Sequence, residues 1–302
     1  VEVFVQLQAR FYVIFLVAVS VLLFGGCQKQ KTDSESLRIL ASINPLGDFA
    51  RQVGGERVEV VVLIPTGASP HTFELTPKMM VSASHSRLLI LNGIGLEPWA
   101  DDLIDAVSSD SLLVVETASD IEILMDDDHA AGNPHVWLNP RLARQQVEKI
   151  AAALQQISPA DSAYFAINAQ NYLALLDTLD IDIRKHAQKW THRSLICVHP
   201  AWEYFTREYS LELTQVVLPN PGSEPSPRHL QQVIQAIRRV QARAIFSEPQ
   251  FSPALVHTIA AETGVRVLTL DPLGTGDYLA LMRQNLANID QALKEGPRCQ
   301  TL

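Results

Sequence analysis

The sequence predicts an α/β fold of two lobes, each with a parallel sheet flanked by helices, joined by one long rigid connecting helix. Three observations carry this prediction. From residue 37 onward, short β-rich apolar runs alternate with helix-spaced segments, the order expected of a parallel sheet covered on both faces. The alternation breaks off near residue 158 and resumes after residue 190. Between those points about 30 residues contain no glycine or proline, and as a helix they would extend ~45 Å at 1.5 Å per residue.

In the first lobe, residues 37–157, strands are expected at 37–43, 58–64, 87–91 and 111–115. Helices are expected at 45–53, 75–84, 97–107 and 140–156, and residues 126–134 read as a polar loop. The connector, residues 158–190, opens with Ser158 as a helix cap and Pro159 in the first turn. Its apolar positions Tyr164, Ile167, Tyr172, Leu175, Leu176, Leu179 and Ile183 fall near helical spacing. In the second lobe, residues 191–302, strands are expected at 194–198, 213–218, 242–246 and 265–270. They alternate with helices at 202–209, 228–240, 253–263 and 278–293. The lobes share an element order without an alignable sequence repeat.

At roughly 100–200 residues per domain, 302 residues accommodate two domains. Apolar residues make up 47%, which excludes disorder as the dominant state. Lysine plus arginine number 24 and aspartate plus glutamate 33, a net charge of −9. An acidic chain lacks the basic face that general nucleic-acid binding requires. The three cysteines, Cys27, Cys197 and Cys299, show no CxxC spacing, which excludes a disulfide scaffold and a cysteine-rich zinc module. Cys197, in an apolar strand, reads as a core residue.

Residues 11–24 form an uncharged apolar run behind Arg10, shorter than the roughly 20 residues of a membrane span. The run reads as the hydrophobic part of an export signal over residues 1–26. It ends in Leu23-Phe24-Gly25-Gly26-Cys27, which resembles a bacterial lipoprotein cleavage site with Cys27 as the lipid attachment point. Residues 27–36 would be a polar tether. An ordinary secretory signal and a retained anchor are the alternatives, and all three place the folded part outside the cytoplasm.

Ligands of open parallel sheets bind beyond the carboxyl ends of the strands. His71 follows the second expected strand by seven residues, His199 directly follows the strand at 194–198, and Asp271 directly follows that at 265–270. His135 sits in Asn133-Pro134-His135-Val136-Trp137-Leu138-Asn139-Pro140, after a loop. Three imidazoles and a carboxylate make a nitrogen–oxygen set suited to Zn²⁺. Glu248 also ends a strand and could be a ligand, a partner of a ligand or a structural hydrogen-bonder. His129 closes Asp126-Asp127-Asp128-His129, either a solvated charge run or an accessory metal-gathering loop. His85, His186, His192, His229 and His257 are expected on exposed helix faces or at helix ends. Gly93-Ile94-Gly95-Leu96-Glu97-Pro98 is no dinucleotide fingerprint, because Pro98 stands at the third glycine position. No P-loop, GxSxG or HExxH is present.

Taken together, these segments resemble the solute-binding proteins of bacterial metal-ion ABC importers over nearly all of residues 37–296. Pro70-His71-Thr72-Phe73-Glu74 with Thr76-Pro77 looks like the family's first-ligand segment, and Asn92-Gly93 with Leu96-Glu97-Pro98-Trp99 like its next landmark. The second-ligand segment is matched around His135, with Asn133 where aspartate is usual. His199 with Tyr204-Phe205 corresponds to the third ligand, and Asp271-Pro272-Leu273-Gly274 to the fourth. Manganese-type members tend to carry a carboxylate at the third position, whereas His199 favours zinc. Glu248-Pro249-Gln250-Phe251 also looks like the zinc branch, although only residues 126–129 remain of that branch's long His-rich acidic loop.

The resemblance implies a monomeric, lipid-anchored, extracytoplasmic protein that binds Zn²⁺ through His71, His135, His199 and Asp271. Its partner would be the membrane subunit of an ABC permease. It would not be an enzyme and would not bind nucleic acid. Manganese or iron is the alternative cargo. A zinc hydrolase with an open coordination position is the alternative from another class, and a surface adhesin role is a third.

Overall fold

The computed structural model describes residues 36–107, 111–125 and 132–294. The expected export segment, tether and Cys27, and the acidic segment with His129, lie outside the described residues. The first lobe is a four-stranded all-parallel sheet of β1 (Leu37–Ala41), β2 (Val58–Val62), β3 (Leu88–Leu91) and β4 (Leu113–Glu116), in the order β2-β1-β3-β4. Ile39 stands opposite both Val60 and Leu88, and Leu88 opposite Leu113. All four residues of β3 are buried, as expected for a central parallel strand covered on both faces.

The helices of this lobe are α1 (Asn44–Gly54), α2 (Pro77–Ser84), α3 (Ala100–Val107) and α4 (Pro140–Ile157). A proline stands in the first turn of α1, α2 and α4, where its missing N–H costs nothing. Asn139 caps α4, its side chain accepting from the Arg141 N–H at 2.9 Å. α1 buries Leu46, Phe49, Ala50 and Val53 and lies very close to β2. A Cβ on Gly47 would come within 2.6 Å of Val62 Cγ2, so only glycine permits this approach.

The connector is α5 (Ser162–Ala187), 26 residues long. The expected entry through Ser158 and Pro159 is instead a 3₁₀ turn, Pro159–Asp161, in which Ser158 Oγ donates to Asp161 Oδ2 at 2.8 Å. Phe165, Ala169, Tyr172, Leu176, Leu179 and Ile183 form its buried stripe. Ile167 and Leu175, expected on that stripe, are 60% and 46% exposed. Their spacing is compatible with a helix, but α1 and α4 cover a different arc of its surface.

The second lobe has two parallel pairs, β5 (Ser194–Cys197) with β6 (Glu212–Val216), and β7 (Ala244–Ser247) with β8 (Arg266–Thr269). β5 packs beside β7, so the spatial order repeats that of the first lobe. Its helices are α6 (Glu203–Glu208), α7 (Pro227–Val240), α8 (Ala254–Thr263) and α9 (Tyr278–Leu293). Ser226 and Asp277 cap α7 and α9 through their side chains. Gly264, at φ 74°, ends α8 in the left-handed region. α9 turns back to pack on α5 and α1. Tyr278, Leu279, Met282, Leu286, Ile289 and Leu293 therefore join the core built on the first sheet. Among the described residues no helix is long and apolar enough to cross a membrane.

Candidate metal centre

The 3₁₀ turn Pro70–Thr72 carries His71, the loop after β4 carries His135, and His199 stands two residues beyond β5. Although 64 residues separate each from the next in the chain, their ligand atoms all lie within 4.8 Å of one another. His135 Nε2 is 3.2 Å from His71 Nε2 and 3.2 Å from His199 Nε2. The rings meet at interplanar angles of 51°, 73° and 76°, so edges rather than faces converge. Two nitrogens each ~2.0–2.1 Å from an ion at the tetrahedral angle stand about 3.3–3.4 Å apart. The two spacings through His135 are close to that value and the third lies within 4.8 Å, so the donor set suits a small tetrahedral ion.

His135 and His199 are buried, and His71 is half-buried at the rim. Each buried imidazole has a side-chain oxygen beside its other nitrogen. His135 Nδ1 lies 2.8 Å from Asn133 Oδ1, and His199 Nδ1 lies 2.6 Å from Glu248 Oε2. The amide oxygen is only an acceptor, so His135 must carry its proton on Nδ1, which leaves the Nε2 lone pair for a ligand. Glu248 Oε2 sits beside His199 Nδ1 at that distance without hydrogen-bond geometry, while its Oε1 receives the His199 backbone N–H at 3.4 Å. Of the three roles open to Glu248 in the sequence, its place beside His199 Nδ1 and on the His199 backbone N–H is that of a neighbour of the histidine group and not a member of it. Ser69, Pro70, Trp137, Gln250, Phe251, Pro272 and Leu273 complete the pocket wall. The Trp137 ring sits 5.2 Å from His135, and the Phe251 ring 5.2 Å from His199.

Asp271, expected as the fourth ligand, does not join this group. Its Oδ1 accepts from the Leu273 N–H at 3.0 Å, the Gly274 N–H at 3.0 Å and Gln250 Nε2 at 2.9 Å. Those three donors hold Oδ1 on its own turn. Residue type and position could not reveal this, because it depends on Gln250 arriving from the end of β7. Gln250 and Trp137 line the pocket although no spacing in the sequence singles them out. Asn133 stands out in the sequence only as a departure from aspartate.

Several neighbouring features are structural. Cys197 is fully buried, and its thiol is pushed well above its ordinary range by burial and then by the Glu248 charge. The Gly93–Gly95 segment wraps a carboxylate: Glu97 accepts from Ser42 Oγ and from the N–H groups of Asn92 and Gly93. His85 and His257 are exposed as expected. His186 and His229 are not purely surface residues. His186 pairs with Asp290 at 2.5 Å, and His229 Nε2 bonds the Val216 carbonyl at 2.9 Å.

Imidazoles from both lobes meet in a narrow cleft between two parallel-sheet units, with a rigid helix between the lobes. This arrangement defines a two-lobed solute-binding protein for a metal ion. A family model described as the periplasmic component A of the zinc-uptake complex matches residues 39–292, and the chain belongs to that family. The family consists of solute-binding proteins of metal transporters and not of enzymes. A high-affinity zinc uptake system protein ZnuA of Bacillus subtilis is 26% identical over 309 residues, covering 93% of this chain and 97% of that protein. The manganese-binding lipoprotein MntA of Halalkalibacterium halodurans is also 26% identical, over 297 residues, covering 93% of this chain and 98% of that one. A crystal structure of ZnuA superposes with a TM-score of 0.80 at 32% identity, covering 85% of this chain and 99% of the other.

Proposed function

We propose that this protein captures Zn²⁺ outside the cytoplasm, between its lobes, and delivers it to an ABC-type permease. The observation that carries the reading is the convergence of the His71, His135 and His199 Nε2 atoms. Three neutral imidazoles suit zinc better than the harder manganese ion, which prefers carboxylate and water. Asn133 supplies the outer hydrogen bond that orients such a ligand, and Glu248 places a carboxylate beside the His199 ring. Asp271 contributes negative charge beside the pocket through Gln250, and its removal should weaken binding less than removal of any of the three histidines. In this proposal Cys27 anchors the protein to the membrane through lipid.

Manganese is the second reading, supported by the relative named for that metal. The test is competition titration of Zn²⁺ against Mn²⁺ on the wild type and on His71→Ala, His135→Ala, His199→Ala and Asp271→Ala. Zinc should win on the wild type and weaken sharply in each histidine variant. Affinity should also fall on acidification, because protons compete for the imidazole nitrogens. Near-wild-type affinity in all three histidine variants would refute the site.

A further inference from the structure

We infer that Asn133 is the positioning residue that holds the metal trio together across the lobe boundary, and that this chain requires an amide there rather than a carboxylate. The inference deepens the metal-binding reading and rests on it. The Asn133 side chain is fully buried, and both of its ends are in use. Oδ1 accepts from the His135 backbone N–H at 3.0 Å and from His135 Nδ1 at 2.8 Å. Nδ2 donates to the Pro200 carbonyl at 2.7 Å and to Glu203 Oε2 at 3.1 Å. A carbonyl and a carboxylate on one side, and a backbone N–H on the other, leave the amide a single orientation.

The consequence is geometric. One planar group grips the ring of a ligand from the first lobe and the backbone immediately after His199 in the second. Its own backbone is pinned as well: Tyr204 Oη donates to the Asn133 carbonyl and accepts from the Leu124 N–H, both at 2.9 Å. The distance between His135 and His199 is therefore coupled to this amide.

Ligand electronics alone favour aspartate at position 133, since a carboxylate partner makes a ligating imidazole more basic. The surroundings reverse that preference. A carboxylate has no hydrogen to give, so Asn133→Asp would set an anionic oxygen against the Pro200 carbonyl and against the Glu203 carboxylate. Both interlobe bonds would become repulsions at a fully buried position, where the low local dielectric screens them little.

The test is zinc competition affinity for the wild type, Asn133→Asp, Glu203→Gln and the double variant. Long-range ¹H–¹⁵N NMR of the metal-free proteins reads the His135 tautomer alongside. Asn133→Asp should bind zinc about 10–100-fold more weakly, the range for loss of an outer-shell partner. Glu203→Gln alone should bind within about threefold of wild type. In the double variant the amide introduced at position 203 can donate to the carboxylate introduced at position 133. That variant should recover part of the loss, the Pro200 carbonyl remaining unpaired, and a general packing defect would show no such rescue. The wild-type His135 should carry its proton on Nδ1. If Asn133→Asp does not fold, Asn133→Ser serves: its hydroxyl cannot span both lobes, and it should show a comparable loss. Wild-type or tighter affinity in the position-133 variants, or an Nε2–H tautomer of His135 in the wild type, would overturn the inference. A wild type that does not bind zinc would overturn the metal reading instead, with the tautomer still reporting on Asn133.

Discussion

Asp48 is buried at 5% exposure in the middle of α1, and it ties three elements together. Its Oδ2 accepts from the Tyr278 N–H at 3.0 Å, at the start of α9, and from Tyr172 Oη at 3.2 Å on the connector. Its Oδ1 accepts from Gln52 Nε2 at 3.2 Å, one turn along α1. Asp48→Ala removes the acceptor for two buried donors. Each orphaned donor costs about 1–3 kcal/mol, whereas exposed Gln52 turns to water at little cost. The expected loss is therefore about 2–6 kcal/mol, measured as a lower urea midpoint on metal-free protein. Asp48→Asn keeps one oxygen for Tyr278 and Tyr172, and Gln52 can rotate its amide to accept. That variant should lose less than about 1 kcal/mol.

The pH dependence has a defined sign. Burial raises the Asp48 pKa above 3.8, against the hydrogen bonds from Tyr278 and Gln52. A raised carboxyl pKa means that the folded state holds its proton more tightly than the unfolded chain. This group's contribution therefore favours folding on acidification from its raised pKa toward the unfolded value, and opposes it above. Asp48→Asn should remove that contribution. Equal losses in the two variants, or a loss under about 1 kcal/mol in Asp48→Ala, would refute the assignment of Asp48 as a hydrogen-bonded junction.

Three further outcomes follow from the packing. Leu176→Ala, at a fully buried connector position, should lose about 2–5 kcal/mol in urea unfolding, whereas Ile167→Lys should stay within about 0.5 kcal/mol. Trp137→Phe removes the indole N–H that donates to the Pro272 carbonyl at 2.7 Å; a loss of about 1–3 kcal/mol is expected in the same assay, and no loss would discount that interlobe bond. Glu208 behaves oppositely to Asp48: burial works to raise its pKa, but hydrogen bonds from Arg184 and Asn139 bring it below 4.5. Its stabilising contribution is present above the unfolded pKa and disappears as pH falls through the folded one, so Glu208→Gln should flatten the fall in stability on acidification below 4.5.

The sequence by itself determined the local order of this protein. β-branched runs and helix-spaced apolar positions are read from neighbouring residues, and the structure bears out the alternation and the long connector. Strand and helix ends differ from the expected ones by a few residues, because the hydrogen-bonding partner decides where pairing stops. The three histidines are visible as residues beyond strand ends, which is a property of position along the chain. Their mutual distance is not, since it depends on how two sheets pack.

Tertiary structure also decided which carboxylate lies against the histidine group and which is engaged by its own turn. Glu248 reaches His199, while Asp271 Oδ1 is held by two backbone N–H groups and Gln250. Ile167 and Leu175 make the same point for the core. Helical periodicity places apolar residues on an arc, but α1 and α4 choose the arc that is buried. Local sequence encodes backbone preference and side-chain spacing. The direction in which a buried polar group points is set by donors and acceptors that arrive from elsewhere in the chain.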